Sequence, residues 1–269
     1  MSCPDCTKGD ILPGEPVGSM SADFQGAYFS PAPTGSTPTP SKRAVLLFTD
    51  AFGLALNNPK ILADEMARRL ECDVWVPDYF KGRPLFPVDA MVLPDRAGVK
   101  LTIKDWLTFI VIGITNLPAI ISNRPSVVDK RVESFIALLK EKKKYEKIGA
   151  VGYCFGGATC VRFGSTGLVD SVVIAHPGRF TLDEVKAIKV PASWVCAQED
   201  YFFPDSLRHQ AEAEFARRKG KGNWVEYEFK EWKGTQHGFA SRPNLNLPEI
   251  KEAYEGALEQ TVEWFKKTL

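Results

Sequence analysis

KIGAVGYCFGGATCV, residues 147–161, combines an apolar strand-like run, a glycine-rich turn and the start of a helical pattern. A strand that turns abruptly into a helix holds the residue at the turn in a strained conformation, and small flanking residues let neighbouring backbone pass close to it. The pattern is typical of a nucleophile elbow, which exposes the side chain at the turn, here Cys154. The N-terminus of the following helix favours the thiolate. Cys154 is therefore the candidate nucleophile, with a buried structural cysteine as the alternative.

Length and composition favour one domain that acts on small molecules. The chain has 269 residues, of which 44% are hydrophobic, and a formal net charge of +1 at pH 7. A chain of this size can bury a large core in a single α/β domain. Its interspersed charges give no electrostatic reason to expect a nucleic acid or a membrane as partner. We expect a small-molecule substrate, and a homodimer is an open alternative to a monomer.

The first six residues, MSCPDC, lack the basic start and apolar core of a signal peptide. Six cysteines in the whole chain are too few for a disulfide scaffold, so a reducing cytoplasm is the expected location. Cys3 and Cys6 form a single CxxC pair, but a closed zinc site needs four ligands and no second pair has a suitable spacing. We expect no metal site, and we interpret the pair as a chance feature or a redox-sensitive end.

A connection rich in Pro, Ser and Thr, residues 31–40, separates an N-terminal arm (1–41) from a single domain (42–269). In the domain, apolar runs suited to buried parallel strands alternate with helical patterns. This alternation predicts an α/β fold with a doubly wound, mostly parallel sheet and helices on both faces. The predicted strands are 44–49, 74–77, 148–152, 172–175, 193–197 and 225–231. The predicted helices are 59–70, 127–142, 158–163, 204–219 and 249–267.

The run from Trp106 to Ile121 is the most apolar part of a lid-like insertion at about residues 81–123. It is shorter than a bilayer span and contains Asn116 and Pro118, so a membrane segment is not expected. We predict that it covers the substrate pocket, with Phe109 among the substrate contacts. A core helix that never meets the substrate is the alternative.

Two further polar residues follow predicted strands, Asp200 after 193–197 and His237 after 225–231. Reactive groups gather at the carboxyl ends of the strands in an open parallel sheet, so both side chains should lie near Cys154. The order nucleophile, acid, histidine is the one expected of an α/β-hydrolase. In this triad His237 takes the thiol proton and Asp200 orients the imidazole. Glu199 is a direct rival of Asp200, while an N-capping Asp or a structural His is the alternative to a catalytic role.

The two other histidines of the chain have different expected roles. His209 lies in a predicted surface helix and is interpreted as solvated. His176 follows the predicted strand 172–175 and so falls on the active face of the sheet, where substrate contact and a structural role in the loop are equally weighted.

At these residues the sequence resembles the dienelactone hydrolase family of the α/β-hydrolase superfamily. The resemblance is carried by GYCFGG at 152–157, DYFFP at 200–204 and HGFA at 237–240, with weaker support from TDAFG at 49–53 and VPDYF at 76–80. It covers most of the chain from about residue 44 onward. It implies the same triad, and an oxyanion hole made by the backbone N–H groups of Phe155 and Ala51.

The resemblance also implies a carboxylate that bonds to the resting thiol, and Asp50 matches its position. The family's type members carry glutamate there, so the side chain of Asp50 is one methylene shorter. Arg242 matches an arginine that binds a substrate carboxylate, although it stands one residue later than in the type pattern. The segment 81–123 is longer and more apolar than its counterpart, which indicates a pocket for a substrate bulkier than a small diacid lactone.

The sequence thus predicts hydrolysis of an ester, lactone or thioester through an acyl-Cys154 intermediate, with no metal or organic cofactor. A non-hydrolytic cyclisation or acyl transfer by the same fold is the alternative, if the apolar run excludes water. An inactive binding protein is a third possibility, against which the complete set of nucleophile, acid and histidine argues.

Overall fold

Eight strands form one sheet within the residues that the structure, a computed structural model, describes: 11–33, 41–88 and 94–269. Cys3, Cys6, residues 34–40 of the predicted connection and residues 89–93 of the predicted insertion lie outside these ranges. The strands are β1 (Ser19–Ser21), β2 (Ala27–Ser30), β3 (Arg43–Phe48), β4 (Asp73–Val76), β5 (Lys147–Tyr153), β6 (Ser171–Ala175), β7 (Ala192–Glu199) and β8 (Tyr227–Gln236). Their order across the sheet is β1-β2-β4-β3-β5-β6-β7-β8.

Strands β3 to β8 are parallel, which confirms the six predicted strands and the mostly parallel sheet. Every residue of β6 is buried, as is expected of a central parallel strand whose two faces are both covered. The sheet grows in one direction from β3 to β4 and in the other from β3 through β5 to β8. Ligands of open α/β sheets bind at such a switch point, at the carboxyl ends of the strands. The loops after Phe48 and Tyr153 therefore frame the expected site.

Helices cover both faces of the sheet. Within the described ranges they are α1 (Asn58–Leu70), α2 (Ile103–Thr115), α3 (Leu117–Ser122), α4 (Pro125–Lys143), α5 (Phe155–Phe163), α6 (Leu182–Ala187), α7 (Asp205–Ala216) and α8 (Pro248–Thr268). Side chains of α1 and α8 pack with Val45 and Leu47 of β3, whereas side chains of α4, α5 and α7 pack with Leu46 and Phe48. Alternate residues of one strand thus anchor two apolar layers, because successive side chains point to opposite faces.

Part of the predicted N-terminal arm belongs to the sheet. Strands β1 and β2 form an antiparallel pair, and β2 pairs antiparallel with β4, with Tyr28 opposite Val76. The Tyr28 ring is buried and its hydroxyl donates to the Asp64 carboxylate of α1 at 2.8 Å. Residues 19–30 are therefore integrated in the domain rather than separate from it. Three- and four-residue strands are too short for an alternating pattern to reveal them in the sequence.

The apolar run 106–121 forms α2 and α3, which are separated at Asn116. A capping box of Thr102 and Asp105 starts α2, and the Asn116 side chain donates to the Ile112 carbonyl where α2 ends. Pro118 lies in the first turn of α3, where its missing N–H removes no helical hydrogen bond. Neither helix contains a buried residue, so the alternative of a core helix is excluded. Among the described residues there is also no helix with the length and apolar character needed to span a bilayer.

Candidate active site

The turn between β5 and α5 has the geometry of an elbow. Cys154 adopts φ +52° and ψ −112°, a backbone conformation that residues other than glycine rarely adopt. Its side chain is half-buried. A Cβ atom at Gly152 would lie 2.0 Å from the Gly156 carbonyl oxygen, and one at Gly156 would lie 2.2 Å from the Phe48 carbonyl oxygen. Both positions therefore require glycine, because β5, α5 and β3 approach within backbone contact there.

Backbone hydrogen bonds hold the elbow against two neighbouring strands. The Cys154 N–H donates to the Ala175 carbonyl at 3.2 Å, and the Gly156 N–H donates to the Thr49 carbonyl at 3.0 Å. The second bond brings the predicted oxyanion-hole residues into one region, since Ala51 lies two residues after Thr49. Phe155 is the first residue of α5, and the N–H of a first helical residue has no acceptor within its own helix. Both donors thus belong to segments that meet beside Cys154.

The structure pairs His237 with Asp200. The Nδ1 atom of His237 lies 2.9 Å from each carboxylate oxygen of Asp200, and both side chains are buried. Asp200 Oδ1 also accepts the N–H groups of Phe202 and Phe203 at 2.8 and 3.1 Å, which fixes the carboxylate in its loop. Glu199, the rival, instead accepts from Gln236 Nε2 at 3.1 Å. Asp200 is therefore the carboxylate in position to orient the imidazole.

The electrostatics of His237 favour its protonated form. Burial alone lowers the pKa of His237, but the negative charge of Asp200, with a smaller contribution from the neighbouring Cys154 side chain, outweighs burial and raises the pKa well above its ordinary value. Among the described residues, His237 Nε2 makes no hydrogen bond of good geometry. Catalytic hydrogen bonds are often long or poorly aligned before a substrate binds. The missing hydrogen bond at Nε2 is therefore compatible with proton transfer from Cys154.

Asp50 lies on the same face, where it is buried beside Arg242. Its carboxylate accepts the Phe52 N–H at 3.0 Å and lies 3.5 Å from both Ser241 Oγ and Arg242 Nε. Burial raises the pKa of Asp50, and the Arg242 charge opposes that rise only in part. Arg242 itself packs its guanidinium over the Phe52 ring, 4.2 Å from the ring centroid. Arg242, which is predicted to contact the substrate, is thus paired with Asp50, which is predicted to regulate the thiol.

His176 lies behind His237 rather than in an open pocket. It is fully buried, its φ is +31°, and its ring centroid is 5.0 Å from that of His237. Burial, and then the charge of His237, lower the pKa of His176 well below 6.5. Neither ring nitrogen has a hydrogen-bond partner among the described residues. Of the two predicted roles, full burial favours a structural role in the loop over contact with substrate.

An aromatic edge that the sequence analysis missed adjoins the site. The Phe202 ring lies 5.1 Å from the His237 ring, and Tyr201 contacts Trp106 of α2 at 6.2 Å between centroids. Tyr201 and Trp106 line a cleft of about 690 Å³ that also contains Asp200. The available signal was the position of both aromatics immediately after Asp200. Phe109 is half-buried in α2 and contacts Trp106, so its predicted substrate contact stays a prediction.

The described residues contain no cluster of three or more His, Cys, Asp or Glu side chains that could hold a metal ion. Their four cysteines, Cys72, Cys154, Cys160 and Cys196, are all free thiols. Burial raises the pKa of Cys72 to about 12 and that of Cys160 well above its ordinary value, which disfavours their thiolates. Cys154 differs from these two in being partly accessible and beside a histidine.

Comparison with known proteins gives a consistent result. The sequence profile of the dienelactone hydrolase family matches residues 32–269. A protein from Aspergillus violaceofuscus named hydrolase pyvD is 32% identical, covering 98% of this chain and 96% of its own length. Hydrolase tropI from Talaromyces stipitatus is 33% identical, covering 97% and 94%. The structure of a putative dienelactone hydrolase from Klebsiella pneumoniae superposes with a TM-score of 0.64 over 89% of this chain and 92% of that one, at 11% identity. This likeness shows the α/β-hydrolase fold.

Proposed function

The chain belongs to the dienelactone hydrolase family, and on that premise we propose that it cleaves an ester, lactone or thioester through an acyl-Cys154 intermediate. As a member of this family it is a hydrolase with an α/β-hydrolase fold. The observation that carries the finer proposal is the placement of Cys154 at a strained elbow beside a histidine that a buried aspartate orients at 2.9 Å.

The proposed reaction begins with proton transfer from the Cys154 thiol to His237 Nε2. The raised pKa of His237 favours the resulting imidazolium, and Asp200 stabilises it at Nδ1. The thiolate then attacks the substrate carbonyl carbon, and the carbonyl oxygen takes up the displaced electron pair. As the tetrahedral intermediate collapses, the bond to the alcohol or thiol leaving group breaks and His237 returns the proton to that group.

The second half of the reaction removes the acyl group. His237, now neutral, takes a proton from a water molecule that attacks the thioester carbon. Collapse of the second tetrahedral intermediate breaks the C–S bond and releases the carboxylic acid. His237 then returns its proton to the Cys154 sulfur, which restores the starting thiol and neutral imidazole. In a lactone the leaving alcohol is part of the same molecule, so a single hydroxy acid is the product.

We assign the oxyanion hole to the N–H groups of Phe155 and Ala51. Support comes from the Gly156 to Thr49 hydrogen bond of 3.0 Å, which draws the elbow against the loop that carries Ala51. Two preorganised donors aimed at the developing charge lower the barrier because they need no rearrangement during the reaction. A single such donor contributes about 10²–10³ in kcat in a serine protease, which sets the scale expected here.

Asp50 and Arg242 are proposed to act together at the substrate. Their 3.5 Å ion pair means that a substrate carboxylate would compete with Asp50 for Arg242. Before a substrate binds, Asp50 lies on the face that carries the thiol, where its carboxylate would disfavour a free thiolate by like charge and offer the neutral thiol an acceptor. We therefore keep Asp50 as the proposed regulator of the thiol and Arg242 as the proposed carboxylate contact. A reducing compartment, such as the cytoplasm, suits the free thiols.

Isotope transfer tests the proposal and separates it from a non-hydrolytic outcome. The enzyme is incubated in H₂¹⁸O with an aryl ester, a thioester or a lactone, each in a separate reaction. Mass spectrometry measures the ¹⁸O content of the products. We expect one ¹⁸O atom in the released carboxylate, and an acyl adduct on the Cys154 peptide after acid quenching. A product isomeric with its substrate and without ¹⁸O would support cyclisation instead. Full turnover by Cys154→Ala, with Cys160→Ala as the matched control, would exclude Cys154 as the nucleophile.

A further inference from the structure

The outer face of α2 and α3 carries a row of exposed aliphatic side chains, here called the outer stripe. Its residues are between 50 and 81% exposed, although each is large and apolar. They are Ile103, Leu107, Ile110, Ile114, Leu117 and Ile121. Trp106 and Val111 are exposed beside them. An apolar patch of this size on a folded protein marks an interaction site.

The stripe has the spacing of a helix-pairing seam. Successive members are separated by four, three, four, three and four residues. A repeat that averages 3.5 residues keeps one apolar row facing a partner helix, as in coiled coils. The spacing of the exposed residues continues from α2 into α3 across the break at Asn116, while Asn116 is half-buried, as is Ile120, which packs against the core. The outer stripe consequently faces away from the body of the domain.

The dimensions of the stripe exclude a small-molecule occupant. The thirteen residues of α2 alone, Ile103–Thr115, extend over roughly 18 Å at about 1.5 Å per helical residue, and α3 adds to that length. A substrate held at Cys154 covers only a small part of that length. The partner that shields the stripe must therefore be macromolecular or a lipid surface.

The charge pattern decides against a lipid surface. Helices that lie in a membrane interface combine an apolar face with a polar face rich in Lys and Arg. Residues 106–123 contain no charged side chain at all. The stripe therefore has the apolar character of a protein interface without the basic face that anionic lipids attract.

We propose that the outer stripe of one copy packs against the outer stripe of a second copy in a two-fold homodimer. A two-fold interface must be self-complementary, and an uncharged aliphatic row meets an identical row without repulsion between like charges. The exposed parts of its six members, with Trp106 and Val111, are comparable to the ~800 Å² that each partner contributes to a standard interface. The net charge of +1 imposes no strong repulsion between the copies. This inference does not depend on the proposed catalytic mechanism.

Dimer formation would also bear on the site. Trp106 contacts Tyr201, and both line the cleft that contains Asp200. A partner that holds α2 in place therefore fixes one wall of that cleft.

Sedimentation equilibrium of the full chain at several micromolar concentrations tests the proposal. We expect the mass of a dimer for the wild-type protein. Ile110→Lys/Ile114→Lys should yield a monomer, with its dissociation constant raised at least roughly 100-fold, because like charges would meet in a desolvated seam. Val17→Lys, which changes an even more exposed aliphatic residue outside the stripe, should stay dimeric. Circular dichroism checks that both variants fold.

A second measurement keeps the proposal testable if the double variant does not fold. Hydrogen exchange of the wild-type protein should show protection of residues 103–122 at high concentration and loss of that protection on dilution. A wild-type protein that is monomeric at every concentration would overturn the proposal, as would a dimer that the lysine pair leaves intact. A monomer that co-sediments with phosphatidylserine-containing vesicles would assign the stripe to a lipid surface instead.

Discussion

Two apolar segments of similar length have opposite environments in this fold. In β5 and α5, residues 147–163, most residues are buried and the turn is bonded to the backbone of β6 and of the loop after β3. In α2 and α3, residues 103–122, no side chain is buried. Apolar composition therefore predicts that a segment will be shielded from water, but it does not identify the structure that shields it. At the elbow, the glycine turn and the flanking strand pattern indicate that the segment packs inside the sheet. The sequence of α2 carries no comparable indication of its packing partner.

The largest expected effect tests whether the elbow is the centre of the chemistry. Asp200→Asn should lower kcat by about 10⁴, the loss known for the orienting aspartate of a serine triad, because the amide favours the wrong tautomer of His237. Glu199→Gln is the matched control, since Glu199 contacts Gln236 instead of the histidine. Steady-state ester hydrolysis measures both. A larger loss in Glu199→Gln would transfer the orienting role to Glu199.

Backbone contact at the elbow yields the next prediction. Gly156→Ala should destabilise the protein by about 3 kcal/mol or more, because the new methyl would lie 2.2 Å from the Phe48 carbonyl oxygen and backbone cannot move aside cheaply. Urea unfolding followed by tryptophan fluorescence measures the free energy. Gly178→Ala serves as the control, because its methyl would meet the Cys154 carbonyl oxygen at an ordinary 3.4 Å. Equal midpoints for the two variants would show that α5 and β3 are not in close contact at Gly156.

The sequence anticipated the elbow region better than the periphery, for a physical reason. Six parallel strands were predictable because strands buried on both faces are continuous apolar runs. The proximity of Asp200 and His237 was predictable because the carboxyl ends of parallel strands meet at one edge. The short helix α6 was missed, although its capping box of Thr181 and Glu184 was a usable signal. The Asp50–Arg242 pair was not derivable from spacing, since it joins residues far apart in the chain and depends on tertiary packing.

The outcome for α2 and α3 marks the limit of such reasoning. Asn116 and Pro118 argued against a membrane segment, and in the structure α2 ends and α3 begins at these residues. The same residues could not show that the run would lie on the surface. Periodicity assigns an apolar face to a helix, whereas the identity of its partner depends on the rest of the molecule or on another one.

The loss of folding stability at acidic pH should originate at the buried His176 and not at the exposed His209. The folded-state pKa of His176 lies well below 6.5, so below pH 6.5 the unfolded chain binds a proton that the native state excludes. The free energy of unfolding should therefore fall as pH drops from 6.5 toward that lower pKa, by up to about 1.4 kcal/mol per pH unit. His176→Phe should flatten this slope, while His209→Phe at an exposed position should keep it. Urea titrations at several pH values measure both, and identical slopes for His176→Phe and the wild type would assign the effect elsewhere.

The smallest expected effect is that of Gly113→Ala, which should change stability in the opposite direction to Gly156→Ala. It sharpens the contrast between the two regions. Gly113 lies inside α2, and a Cβ atom added there would meet nothing within 4 Å. Alanine restricts the unfolded chain and favours helix, so Gly113→Ala should stabilise the protein by up to about 1 kcal/mol. The identical change at Gly156 destabilises, because there the space is already filled by backbone. Urea unfolding of the wild type and of Gly113→Ala at several protein concentrations measures the gain, and a gain that is independent of concentration excludes an effect of association. A loss of stability in Gly113→Ala would mean that α2 is packed against a surface at this position, and that the two regions differ less than their exposure indicates.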